Sequence, residues 1–225
     1  TNLTKDEINA LPTLSRSLSD LIRLAPQANG SSIGGGNSRQ NNVTVDGADF
    51  NNNFGIGNNL PGNGNPVSID ALEEISVNVT PYDVKQTGFI GGAINAITRS
   101  GTNEVTGSAY YFFRNNNNVG TKAGENTFNP GDFNYSQIGF RVGGPIIKDK
   151  LFFFASFEDE AETRPGTTWR ANNGNEPIEG NVTRVLASDL DGLSTFLRDK
   201  FDYETGPYQD YDNETVGTKF LVKFD

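Results

Sequence analysis

The chain has no cysteine, no histidine and no methionine among its 225 residues. Without cysteine there are no disulfide staples, thiol nucleophiles or Cys-ligated zinc. Without histidine, Ser-His-Asp and Cys-His catalysis, His-based zinc sites and the commonest general base go too. Positive charge is scarce: 18 Lys and Arg stand against 28 Asp and Glu, a net charge of −10. Such a polyanion is a poor ligand for nucleic acid, where cations must replace the counterions along phosphates. No run of apolar residues approaches the roughly 18 needed for a membrane-spanning helix. Apolar residues make up only 34% of the chain. What is abundant is Asn (28), Gly (26) and Phe (16). Asn and Gly tolerate turn conformations, so this composition predicts long loops joining β structure. The clustered aromatics argue against disorder.

The texture changes near residue 100. Before it, Leu14, Leu18, Leu21 and Ile22 recur with helical spacing and predict a helix over 11–24, closed by Pro26 and Gly30. Val43-Thr44-Val45 reads as a strand running into the turn pair Asp46-Gly47. Residues 69–79 begin helix-like at 70–74 and then alternate as a strand, and 88–99 is a further strand candidate. After residue 100, four segments alternate with period two: 104–114, 136–144, 151–160 and 217–225. Their connections are about 20 residues, then the short Pro145–Lys150, then about 50 residues with a helix over 188–200. Strands of roughly 9–11 residues joined by alternating short and long loops fit a transmembrane β-barrel. A soluble sandwich with one wet face is the competing pattern.

The chemical motifs are weak. Asp49-x-Asn51-x-Asn53 opens like a calcium loop, but Phe54 and Leu60 stand where the turn glycine and the bidentate Glu belong. Gly88-x-x-Gly91-Gly92 is not a nucleotide fingerprint. Glu73-Glu74 and Glu158-Asp159-Glu160 are neighbours that a strand would point to opposite faces, unlike a glycosidase pair. No catalytic residue, cofactor or metal site is expected. The longest loop is acidic and aromatic, and Trp169, Arg170, Tyr203, Tyr208 and Tyr211 are its candidate ligand contacts.

Leu11–Gln27, Val43–Gly47, Ile69–Ile75 and Gly91–Asn103 together resemble the plug domain of TonB-dependent outer-membrane transporters. Gly143–Phe154 resembles the first periplasmic turn of the Oar-like subfamily, whose members usually carry a carboxypeptidase-regulatory-like domain upstream. The resemblance implies a mixed α/β plug over residues 1–100, followed over 101–225 by the first antiparallel strands of a transmembrane barrel of roughly 22 strands. It implies active uptake across a Gram-negative outer membrane, with the plug gating the lumen. Its implied partners are outer-membrane lipid, an energy-transducing TonB complex acting through an upstream segment, and an extracellular substrate. The acidic mouth favours a peptide or glycan over an anionic chelate. Both ends of the chain read as cut, so an internal piece of a longer polypeptide is expected. The alternative function is a secreted β-rich adhesion or structural module.

Overall fold

The computed structural model describes residues 1–13, 16–30, 32–51, 65–79, 91–127 and 131–225. They form two compact units. The first comprises Thr1–Tyr111, Ile138–Asp159 and Gly217–Asp225, and the second Phe112–Gln137 and Glu160–Val216.

In the first unit a five-stranded sheet takes the order β1-β4-β5-β2-β3. Its strands are β1 (Asn2–Thr4), β2 (Asn42–Val45), β3 (Ala48–Asp49), β4 (Leu72–Asn78) and β5 (Ala93–Thr98). β2 and β5 run parallel, while β4 is antiparallel to both β1 and β5. The expected Asp46-Gly47 turn joins β2 to β3, with φ of 49° and 83°. Two successive positive φ values define the tight hairpin turn that Asp-Gly favours.

Of the helix expected over 11–24, the described residues keep only α2 (Leu18–Ile22), and a separate short helix, α1 (Lys5–Ala10), precedes it. Pro12 drives the preceding residue out of the helical region, and Leu11 sits at φ −79°, ψ 130°. α1 starts earlier because Thr4 and Glu7 form a capping box, Glu7 Oε2 accepting from the Thr4 N–H at 2.8 Å. α2 starts at Ser17, whose Oγ accepts from the Asp20 N–H at 3.3 Å. The helix-like reading of 70–74 is also corrected. Ile69–Ala71 makes a single 3-10 turn, capped by Ser68, and β4 takes Glu73 and Glu74. Leu18, Leu21, Ile33, Val43, Leu72, Ile75 and Ile94 fill the core of this unit.

Four longer strands form the other sheet, in the order β9-β8-β7-β6. They are β6 (Thr106–Asn115), β7 (Asn134–Ile147), β8 (Leu151–Pro165) and β9 (Asp212–Phe224). All four were legible from alternation, and each is offset or longer than expected. β7 and β8 form a hairpin closed by the Lys150 N–H to Ile147 carbonyl bond at 3.1 Å. β8 and β9 are antiparallel, since Phe152 and Asp225 exchange backbone bonds at 2.9 and 3.2 Å. In the second unit, α3 (Ala187–Phe201) matches the expected surface helix and buries none of its side chains.

The four-stranded sheet buries the opposite of what a soluble sheet buries. Val105, Ile138, Phe140, Phe220, Val222 and Phe224 are exposed, Phe220 by 81%. Ser156 and Glu158, on the other face, are buried. No helix among the described residues is long and apolar enough to cross a membrane. The small sheet, by contrast, has an ordinary apolar core. Ile75→Ala, at a fully buried site, is expected to cost about 2–5 kcal/mol, read as a lowered melting temperature of the purified protein in detergent.

Candidate functional site

The polar face of the four-stranded sheet is occupied within the first unit by residues 68–70, just before β4. Glu158 on β8 is the hub. Its Oε2 accepts from Ser68 Oγ at 2.8 Å and from the Tyr110 hydroxyl of β6. Its Oε1 pairs with Lys219 Nζ of β9 at 2.7 Å, and both side chains are more than 90% buried. One carboxylate thus ties three strands of one sheet to the approach segment of the other. Gly139 on β7 makes this possible, because a Cβ there would collide with the Tyr110 ring.

A second group lies beside it. Arg141 Nε of β7 donates to Asp70 Oδ2 at 2.9 Å, and Ser108 of β6 donates to the same oxygen. Arg99, only 8% exposed, donates from Nε to the Leu72 carbonyl at 2.9 Å. Lys223 of β9 lies 3.9 Å from Asp46 Oδ2, and Asp46 also accepts from the Thr98 N–H at 2.9 Å. Buried charges persist only when paired and hydrogen-bonded. Glu158, Asp70 and Lys219 all meet that condition.

The five loop residues singled out from sequence all fall in the second unit. Trp169 is 55% and Tyr203 59% exposed, so both present free ring surface. The others are engaged. Arg170 pairs with Glu176 through both guanidinium nitrogens, Nη1 to Oε1 at 2.6 Å. The Tyr208 hydroxyl donates to Asp191 Oδ1 at 2.9 Å, which pushes the phenol above its ordinary range. The Tyr211 ring packs over Gly166. The structure does not gather the five into one pocket lining among the described residues. The Ser68–Tyr110–Glu158–Lys219 cluster was missed from sequence. Its one signal was an acid and a base at positions of alternating strands where a soluble sheet would place core residues. The calcium-like motif runs beyond the described residues at 52–64. Within them Asn51 is already used, accepting from the Val43 N–H at 2.9 Å. Gly88 also lies outside the described residues.

A family model described as an outer membrane beta barrel domain matches residues 97–206. The chain is 36% identical over 197 residues to the TonB-dependent transporter Oar of Myxococcus xanthus, covering 79% of this chain and 18% of that protein. It is 29% identical over 172 residues to the probable TonB-dependent siderophore receptor PirA of Acinetobacter baumannii, covering 67% and 21%. The chain is homologous to TonB-dependent outer-membrane transporters. It spans about a fifth of the length of these curated relatives. Solved structures agree on the fold. The outer membrane transporter YddB from Escherichia coli superposes with a TM-score of 0.59 at 18% identity, over 80% of this chain and 28% of that one. The Acinetobacter baumannii PirA structure superposes at 0.53 and 23% identity, over 80% and 26%. The family match, the relatives and the structural neighbours agree that the chain is an outer-membrane protein related to TonB-dependent receptors. The relatives are named as transporters and receptors, not as enzymes.

Two outcomes follow. In the full-length protein, Glu158→Ala strands the Lys219 charge and is expected to cost about 3–5 kcal/mol. A Glu158→Leu, Lys219→Met double variant should recover much of that loss, read by thermal melting in detergent. In the loop, hydrogen bonds from Arg170 and the Asn173 N–H hold the Glu176 carboxyl below its ordinary range. A depressed carboxyl contributes stability above its unfolded pKa of about 4.3, and that contribution is lost as pH falls through the lower folded value. Limited proteolysis within 170–186 should accelerate only below about pH 4, and Glu176→Gln should show the fast rate at neutral pH.

Proposed function

We propose that residues 1–100 are the plug and residues 101–225 the first four barrel strands of a receptor that imports a solute across the outer membrane. The observation that carries this reading is the inverted burial of the four-stranded sheet. Its apolar face is exposed as a lipid-facing surface requires, and its polar face is occupied by Ser68 and Asp70 of the preceding domain. A lumen filled by a small domain needs charged and hydroxylated walls, since the two surfaces must be able to part. Glu158, Arg141, Lys219 and Tyr110 supply such walls.

In this reading the solute enters from outside and meets the long loop between β8 and β9. Trp169 and Tyr203 offer exposed stacking surface there, while Arg170, Tyr208 and Tyr211 shape the loop that presents them. A TonB complex would act on a segment upstream of this chain, displacing the plug to open the lumen. The loop's acidic residues favour a peptide or glycan as solute.

The full-length protein is expected in the outer-membrane fraction, with slower electrophoretic migration after boiling as a barrel shows. Recovery in the soluble fraction would overturn the reading. Replacing Trp169 and Tyr203 together by Ala should lower uptake of the natural solute about tenfold, given about 1–2 kcal/mol of lost ring contact. Unchanged uptake would remove both rings from the path.

A further inference from the structure

Arg114, near the end of β6, is a cation without an anionic partner among the described residues. Its guanidinium carbon lies 5.8 Å from the centroid of Phe133 and 5.1 Å from that of Tyr135. Its Nε is buried and has no hydrogen-bond partner among the described residues. None of their carboxylates comes within 4.0 Å of its nitrogens. Arg164, on β8, differs sharply, because Glu162 Oε1 holds it at 2.6 and 2.7 Å. A cavity of 330 Å³ opens in the second unit, lined by Arg114, Asp132, Phe133, Arg164, Pro165 and Thr168. Asp132, its one acidic wall residue, accepts from Asn116 Nδ2 at 2.7 Å.

Further along β7, on the face it shares with Phe133 and Tyr135, Gln137 is fully buried. Neither its amide oxygen nor its nitrogen has a partner among the described residues. Unsatisfied polar groups of this kind are rare in native proteins and call for an explanation. Ring faces offset part of the cost of a partly buried guanidinium, but they leave its N–H donors unused. A planar carboxylate fills those donors best, since guanidinium and carboxylate form two parallel bonds. The cavity's size suits a small ligand, and its Phe133 and Pro165 walls suit an apolar body.

We infer that this cavity binds the carboxylate of a small organic acid or peptide terminus carrying an apolar body, with Arg114 as the carboxylate anchor. That the bound acid belongs to the imported solute rests on the uptake reading above; the binding itself does not. The acidic loop between β8 and β9 selects against anions in general, and Arg114, with no carboxylate partner among the described residues, restores preference for a single carboxylate in this cavity.

The test uses the purified full-length protein in detergent and calorimetric titration with three probes: the dipeptide Ala-Phe, its C-terminal amide, and 3-phenylpropionate. Ala-Phe should bind at least about tenfold more tightly than its amide, the difference a charge-assisted pair supplies. Arg114→Gln should abolish that preference while leaving heat-modifiable migration intact, and Arg114→Lys should retain part of it. Binding of 3-phenylpropionate that is likewise lost in Arg114→Gln would support the site with non-peptide acids as its source. Equal binding of acid and amide, a preference that survives Arg114→Gln, or no binding of any probe at millimolar concentration would overturn the proposal. Fractionation keeps the two readings apart: an outer-membrane protein that binds no probe defeats only this inference, whereas a soluble protein that binds Ala-Phe defeats only the uptake reading.

Discussion

A β-strand facing lipid must satisfy every backbone polar group within the sheet and show only apolar side chains outward. Everything else in this chain is arranged around that demand. Phe220, Val222 and Phe224 on β9 and Ile138 and Phe140 on β7 take the outward positions, so little apolar surface beyond Phe154 and Leu221 is left to build a core beneath the sheet. The inward face has to be closed by polar contact instead. Hydroxyls, amides and paired charges do this at a net gain of only about 0.5–1.5 kcal/mol for each neutral hydrogen bond. Contacts of that strength are specific without being permanent.

Glu158 shows how few residues can carry such closure. It collects Ser68, Tyr110 and Lys219, and each of the three sits on a different segment of the chain. A carboxylate has about four lone-pair sites, and this one uses three of them within a space from which water is nearly excluded. Asp70 repeats the design on a smaller scale with Arg141 and Ser108. The two acids come from opposite sides of the seam, Glu158 from the long-stranded sheet and Asp70 from the approach to β4. Neither surface is therefore wholly acidic or basic. Each half, once separated, would expose charges that water can solvate.

Period-two alternation made the four long strands and the chemistry of their two faces legible, because a strand with one lipid face and one polar face alternates strictly. It could not place their ends. β8 continues to Pro165, where the outward positions Asp159, Ala161 and Thr163 no longer carry large apolar side chains and the pattern fades. The helix expected over 11–24 is too long at its start: Leu18, Leu21 and Ile22 lie on α2, which begins only where Ser17 caps it. The Glu158 cluster was hidden because its hydrogen-bonded pairs lie 42 to 90 residues apart, and no spacing rule relates them. Arg114 carried no signal as a single basic residue at a strand end beside an Asn run. Of the five loop residues chosen for their chemistry, sequence could not separate Trp169 and Tyr203 from three side chains already committed to Glu176, Asp191 and Gly166.

β8 extends for 15 residues, roughly 50 Å at about 3.3 Å per residue. A tilted strand needs only about 9–11 residues to cross the hydrocarbon layer. After Phe157 its outward positions are Asp159, Ala161, Thr163 and Pro165, none of them a large apolar side chain. About seven residues of hydrogen-bonded strand therefore have no lipid to face, a span of roughly 20 Å. That exceeds the 5–8 Å or so of one headgroup layer. On the barrel reading proposed above, that stretch of β8 stands in water, and its backbone ladder stiffens the base from which the following loop departs.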